Sequence, residues 1–445
     1  MHVYIIGNGI SGVTAARFLR KNSDCEITII SSETDHFYSR TALMYIYMGH
    51  MGFEQTKPYE DYFWKKNRIN LINTHVNKID FDTKILKTSS KGDLSYDKLV
   101  LALGSSSNKF GWPGQDLEGV GGLYAIQDLE RMEEYSKGLN RAVIVGGGLI
   151  GIEMAEMFHS RHIPVTFLVR EKSYWDIVLP AEESAMVNRE IRRNGIDLQL
   201  ETELVEIVDD GDGQCCAVKT SKDDTIECGF VGLTAGVHPN VKFLNESALE
   251  IDRGIKVNRY LETNIDDVYA VGDCAEQREP AVGRRPIEAV WYTGKMMGET
   301  VAYNILDQKI AYDPGIWFNS AKFIDIEYQV YGEVSVRPPD HHASIYWEHE
   351  DGNKSIRLVY NKNTEKIVGL NLMGVRFRHE VCEKWLAEET DLHTVVQQLN
   401  LADFDPEFYK SYIADVQALY TSSTGKPIEK PLKKTLKRVL AFLGK

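Results

Sequence analysis

The 445-residue sequence contains no apolar run of the roughly 18 residues that a membrane-spanning helix needs. It has no excess of basic residues either: 51 Lys and Arg stand against 65 Asp and Glu, for a net charge of -14. With no basic RNA- or DNA-binding module apparent, nucleic acid is not expected as a partner. Cysteine is scarce, 6 in all, and none falls in a C-x-x-C or a zinc-type pair of pairs. No metal site is therefore expected. Cys25, Cys215, Cys216, Cys228, Cys274 and Cys382 read as reduced structural thiols. No signal peptide is expected, because the first apolar residues already read as a strand and turn. A cytoplasmic location is the expectation.

The chain does have an apolar content of 43% and a length that predicts two or three domains around sizeable cores. Its opening stretch organises the rest. The apolar run Val3-Tyr4-Ile5-Ile6 enters Gly7-Asn8-Gly9-Ile10-Ser11-Gly12, and an Ala-rich helical stretch follows. This is G-x-G-x-x-G between a strand and a helix. Gly7 permits the tight turn, Gly9 lets backbone approach a pyrophosphate, and Gly12 lets helix and strand pack closely. The helix N-terminus adds free N–H groups and the positive end of its dipole. Gly7, Gly9, Ile10, Ser11 and Gly12 are thus candidate cofactor-binding residues.

A second parallel strand is predicted over residues 26–30. Glu33 lies about 20 positions beyond Gly12, where an acidic residue meets adenosine ribose hydroxyls. The alternative is a solvated loop carboxylate, and Ser31 or Ser32 can share the ribose role. Arg40, beside Tyr38, is placed to reach a pyrophosphate or a flavin edge, or else to form a surface ion pair. Val76 is a further candidate contact. The buried strand 96–103 returns towards the cofactor with Ala102 and Gly104 at its end.

The opening pattern then recurs. Residues 141–145 lead into Gly146-Gly147-Gly148-Leu149-Ile150-Gly151, with Gly146, Gly148, Leu149, Ile150 and Gly151 as the candidate contacts. Two nucleotide folds in one chain argue for two dinucleotides. The second fold's next strand, 165–169, ends not on a carboxylate but at Arg170, which suits a 2′-phosphate and points to NADPH; Glu171 pulls the other way. The strand 230–235 returns at Gly236. A third strand, 268–271, ends in Gly272-Asp273 and is predicted to start a helix. Asp273 there is placed to accept hydrogen bonds from a polyol, the alternative being a helix N-cap.

These residues resemble the FAD-dependent pyridine nucleotide–disulfide oxidoreductase superfamily. The resemblance rests on Gly7–Gly12, Leu101-Ala102-Leu103-Gly104, Gly146–Gly151 with Ile152-Glu153, and Ala270-Val271-Gly272-Asp273, in that order. It implies an α/β chain with two Rossmann-like dinucleotide-binding domains and an α+β C-terminal domain. FAD would occupy residues 1–113 and 239–312, and NAD(P)H residues 114–238. Residues 313–420 would form an interface domain and make the protein a homodimer. The resemblance further implies that Asp273 holds the FAD ribityl chain and that Glu153 sits near the nicotinamide, as the candidate catalytic residue. The Tyr38-Ser39-Arg40 stretch is similar to rubredoxin-reductase-like and nitrite-reductase-like members, where this Arg lies by the flavin.

The departure from the family is the redox cysteine. None occurs between Tyr38 and Gly52. An NAD(P)H oxidoreductase passing electrons through flavin alone to a small iron–sulfur protein, a quinone or dioxygen is expected; a redox-sensing or scaffolding flavoprotein is the alternative. The tail, 421–445, places Leu432, Leu436, Val439, Leu440 and Leu443 on one helical face and Lys and Arg around the other. It reads as a membrane-surface contact at the inner face or as a helix docked on its own domain.

Overall fold

The protein is described by a computed structural model covering residues 1–404, 407 and 410–428. The amphipathic tail expected over 431–443 lies outside the described residues. No helix among the described residues is long and apolar enough to cross a membrane. The chain forms two compact units, Met1–Trp175 with Ile191–Gly315, and Asp176–Glu190 with Ile316–Lys445.

The first unit contains two five-stranded sheets built on one plan. In the first, the strands run in the order Val268–Ala270, Lys98–Leu101, His2–Ile6, Glu26–Ser31, Ile69–Asn73, all parallel. In the second, the order is Asp197–Leu200, Val165–Val169, Ala142–Val145, Phe230–Leu233, Val120–Gly121, again parallel. Parallel strands covered on both faces read as continuous apolar runs. Val3-Tyr4-Ile5-Ile6 and Ala142-Val143-Ile144-Val145 are such runs, and all eight residues are buried. The first sheet takes strands from both sides of the segment that builds the second. Where the chain crosses out and back, Ser105–Ser107 and Val237–Pro239 pair as a short antiparallel ribbon.

Helix Ile10–Asn22 packs against helix Trp291–Ile305. The approach is backbone-close: a Cβ on Gly298 would stand 2.3 Å from the Ser11 carbonyl oxygen. The helix predicted directly after Asp273 is absent. Gly272–Cys274 is instead one 3-10 turn leading into strand Ala275–Gln277, which pairs in parallel with Ile255–Val257. Pro280 and Pro286 then interrupt the chain before helix formation resumes at Trp291.

The second unit is built on an antiparallel sheet in the order Phe318–Phe323, Ile326–Gly332, Ile367–Met373, Ser355–Asn361, His342–Glu348. Helices His379–Ala387, Leu392–Gln397 and Ile413–Thr424 complete its core, which centres on Leu358, Leu370, Leu372, Trp385 and Val416. Segment 176–190 joins it through charge. Glu183, fully buried, pairs with Arg357 Nε at 2.7 Å and Nη2 at 2.8 Å, and Ser344 Oγ accepts from Nη1 at 2.9 Å. A buried pair survives only when its remaining donors and acceptors are satisfied in this way.

Candidate cofactor sites

The two glycine turns have nearly the same backbone. Gly7 has φ +113° and Gly146 φ +117°, values only glycine adopts without strain. A Cβ on Gly7 would lie 2.0 Å from the Ala102 carbonyl oxygen, and one on Gly146 2.7 Å from that of Thr234. Added Cβ atoms at Gly12 and Gly151 would strike Gly7 O at 2.1 Å and Gly146 O at 2.3 Å. The middle glycines differ in kind: a Cβ on Gly9 or Gly148 would meet nothing within 4 Å. Each turn thus closes tightly on its own sheet and leaves open space over its central glycine, at the first N–H groups of a helix. That is the shape a pyrophosphate requires, so both turns fit a dinucleotide.

Around the first turn the other candidates divide. Ile10 is half-buried in the helix's first turn. Ser11 is buried beneath Gly272 and Gly294, whose added Cβ atoms would reach its Oγ at 2.4 and 2.8 Å; it packs the two helices together instead of facing the open side of the turn. Ala102 is buried below Gly7, and Val76 is buried in strand Val76–Asp80. Gly104 and Gly272 both have positive φ, +68° and +73°. Gly236, φ +89°, accepts from the Asn108 N–H at 3.0 Å in the crossover ribbon.

Glu33 and Arg40, expected at a ribose and at a pyrophosphate or flavin edge, lie together in the structure. They bind each other, with Arg40 Nη2 to Glu33 Oε2 at 2.7 Å and Nη1 to Oε1 at 3.0 Å. Glu33 Oε1 also accepts from the Tyr38 hydroxyl at 2.5 Å and the Ile126 N–H at 3.1 Å. Burial alone would raise this carboxyl, but the Arg40 guanidinium and the Tyr38 and Ile126 donors hold it below the usual carboxylate range. These partners converge on Glu33 Oε1, while Oε2 accepts, among the described residues, from Arg40 alone, and neighbouring Ser32 is exposed. Arg40 in turn donates to the Tyr124 carbonyl and lies over the Tyr124 ring, 4.4 Å from its centroid. Its Nη1 and Nη2 both donate within the protein.

Asp273 is half-buried, and Ser105 Oγ and the Tyr124 hydroxyl each donate to its Oδ2 at 3.1 Å. Burial pushes its pKa up, partly offset by those two donors. In the second fold, Leu149 and Ile150 are half-exposed in the first helical turn. Glu153 follows, half-buried, its pKa pushed up to about 7 by desolvation and then by the neighbouring Glu156 carboxylate. Perturbed carboxyls of this kind cluster at functional sites. Arg170 is 71% exposed and pairs with Glu171 at 2.8 Å, so its charge is answered before any phosphate arrives.

Three residues near these sites carry no sequence signal: Ser105, Tyr124 and Tyr174, whose hydroxyl donates to the Gly148 carbonyl at 2.8 Å. None belongs to a glycine motif. All six cysteines are free thiols. Burial pushes Cys274, next to Asp273, up to about 12, so it is an inert thiol at neutral pH. No cluster able to hold a metal ion occurs among the described residues.

A sequence profile described as pyridine nucleotide-disulphide oxidoreductase matches residues 1–298. The chain is 30% identical over 282 residues to nitrite reductase [NAD(P)H] of Bacillus subtilis, covering 63% of this chain and 35% of that protein. It is 30% identical over 290 residues to rubredoxin-NAD(+) reductase of Acinetobacter baylyi, covering 62% of this chain and 72% of the relative. In fold it is similar to a NAD-dependent persulfide reductase from A. fulgidus, with TM-score 0.82 at 22% identity over 96% of this chain and 84% of the other. The chain thus spans about a third of the nitrite reductase it matches and about three quarters of the rubredoxin reductase.

Proposed function

Because the chain belongs to the pyridine nucleotide-disulphide oxidoreductase family, we propose that it is a FAD-dependent NAD(P)H oxidoreductase that delivers electrons to an external acceptor through flavin alone. The observation that carries this reading is the repeated turn: two parallel sheets, each with an open central glycine at a helix N-terminus. FAD is assigned to the first and NAD(P)H to the second. When bound, the cofactors supply the hydride chemistry, and the protein supplies binding, orientation and electrostatics.

The chain's own residues divide that work. Gly9 and the first turn of helix Ile10–Asn22 meet the FAD pyrophosphate, and Gly148 with Leu149 and Ile150 meets that of NAD(P)H. Asp273 accepts a ribityl hydroxyl. Glu153 stands in the second fold as a carboxyl titrating near neutrality, able to hold or release a proton at Oε beside the nicotinamide site. Helix Leu43–Tyr47, within the Tyr38–Gly52 segment, offers no thiol, and the buried Cys274 thiol stays protonated. This supports a route without a redox disulfide.

The acceptor proposed is a small iron–sulfur protein. The similarity to rubredoxin-NAD(+) reductase extends over 72% of that relative, which favours a protein acceptor over a quinone. The C-terminal sheet domain is proposed as a homodimer interface. The deciding experiment is rapid-mixing absorbance on the purified holoprotein. NAD(P)H should bleach the flavin band, and steady turnover should begin only when rubredoxin or ferredoxin is added. Flavin that stays oxidised with both nucleotides refutes the enzyme and favours a nucleotide-binding sensor or scaffold.

A further inference from the structure

Tyr124 lies outside both G-x-G-x-x-G turns, yet its hydroxyl reaches the proposed flavin carboxylate. It donates to Asp273 Oδ2 at 3.1 Å and accepts from the Ser105 N–H at 2.8 Å. Ser105 Oγ donates to the same Oδ2, also at 3.1 Å. Two neutral donors therefore converge on one carboxylate oxygen, while Oδ1 receives no hydrogen bond from another described residue. Gly104 makes room for this arrangement: at φ +68°, a Cβ there would stand 2.7 Å from the Tyr124 hydroxyl.

Tyr124 is also fixed along its backbone on both sides. Asp128 Oδ2 accepts from the Tyr124 and Ala125 N–H groups at 2.9 Å each. Arg40 donates to the Tyr124 carbonyl and lies over its ring. Glu33 grips the next residues, accepting from the Ile126 N–H through its carboxylate and from Gln127 Nε2 through its carbonyl at 2.8 Å. The Glu33–Arg40 pair thus clamps the segment where the chain passes from the crossover into helix Ile126–Tyr135.

We propose that Tyr124 is a positioning residue of the flavin site: with Ser105 it pins Asp273 Oδ2 and presents Oδ1 to a ribityl hydroxyl, and the Glu33–Arg40 clamp holds it there. This rests on the FAD reading given above. A carboxylate already ordered before binding loses less conformational freedom when the ligand arrives, which favours affinity. Its two donors also favour the ionised form that accepts most strongly.

The test is an equilibrium titration of the full-length chain, stripped of flavin, with FAD followed by flavin fluorescence and with NADPH as the control ligand. Tyr124→Phe keeps the ring and removes only the hydroxyl. It should weaken FAD binding about 10-fold, the loss of one hydrogen bond to a charged group, and leave NADPH affinity unchanged. Ser105→Ala should shift FAD in the same direction and serves if the Phe variant does not fold. FAD affinity equal to wild type in both variants overturns the proposal, and so does a parallel loss of FAD and NADPH affinity, which would mark a general structural effect. Wild-type chain that takes up no FAD at all instead overturns the underlying cofactor assignment.

Discussion

The two glycine turns are near copies in backbone and unlike in what surrounds them. Both place the first glycine at φ close to +115°, and both leave the middle glycine open. Beyond the turn they diverge. In the first fold, the charged pair after the second strand, Glu33 with Arg40, is drawn inward and holds protein segments. In the second, the corresponding charges, Arg170 with Glu171, meet at a surface where Arg170 is 71% exposed. The repeated unit therefore encodes where a phosphate goes. The side chains further along differ between the two folds.

The sharpest way to break that comparison is to substitute the glycines by role. Gly7→Ala puts a methyl group 2.0 Å from a backbone carbonyl that cannot yield, at a φ that alanine resists. It should cost more than about 4 kcal/mol and give insoluble or cofactor-free protein; urea denaturation measures it. Gly146→Ala should follow, somewhat less severely, with its nearest backbone atom at 2.7 Å. Gly9→Ala and Gly148→Ala should leave stability within about 1 kcal/mol, because their methyl groups enter open space. Each should then lose one ligand only, FAD for Gly9→Ala and NAD(P)H for Gly148→Ala. A Gly9→Ala protein that loses both nucleotides equally would end the division of labour between the turns.

The charged pairs sharpen the comparison at a lower level. Arg40→Met leaves Glu33 largely enclosed without its cation, with only 19% of its side chain exposed. A cost of about 2–3 kcal/mol is expected, below the full range for broken buried pairs because both partners keep some solvent. Arg170→Met removes a cation that is 71% exposed, against 27% for Arg40, although the two carboxylates are similarly enclosed at 20% and 19%; the solvated cation should make the loss smaller, no more than about 1 kcal/mol. Equal losses in the two variants would mean that the inward and outward pairs do not differ as described.

Much of this was legible in the sequence because it depends on local pattern. Apolar runs entering glycine turns specify parallel strands, and the order of four short segments gives the family. What was not legible depends on contacts between distant residues. Glu33 has the spacing of a ribose ligand, but that spacing does not announce that Arg40, close in sequence, and Ile126, far from it, donate to its carboxylate. Tyr124 meets Asp273 across a separation of 149 residues, and only the Asp273 end lies in a recognisable motif. The helix expected after Asp273 failed because residues 275–277 find a strand partner at 255–257. Likewise, nothing local announces that Glu183 pairs with Arg357.

The last expected effect concerns Glu153, a carboxyl of the second fold whose pKa is shifted in the opposite direction from that of Glu33. Glu33 is held below the ordinary carboxylate range, whereas Glu153 is raised from 4.5 to about 7. The signs of their linkage to stability are therefore opposite. The folded chain binds the Glu153 proton more tightly than the unfolded chain does. Its contribution is complete below the ordinary pKa and is lost as pH climbs from about 4.5 to 7. Glu33 contributes above its ordinary pKa and fails as pH falls. Glu153→Gln should thus match wild type near pH 5 and gain about 1 kcal/mol over it near pH 8, a figure kept small because the side chain is only half-buried. Thermal melts across that range read the difference, and the same variant should lose any limb near pH 7 in kcat/KM for NAD(P)H. If the two proteins keep a constant gap from pH 5 to 8, Glu153 is not desolvated. The second fold would then hold no carboxyl suited to proton transfer, leaving it a nucleotide-binding turn and nothing more.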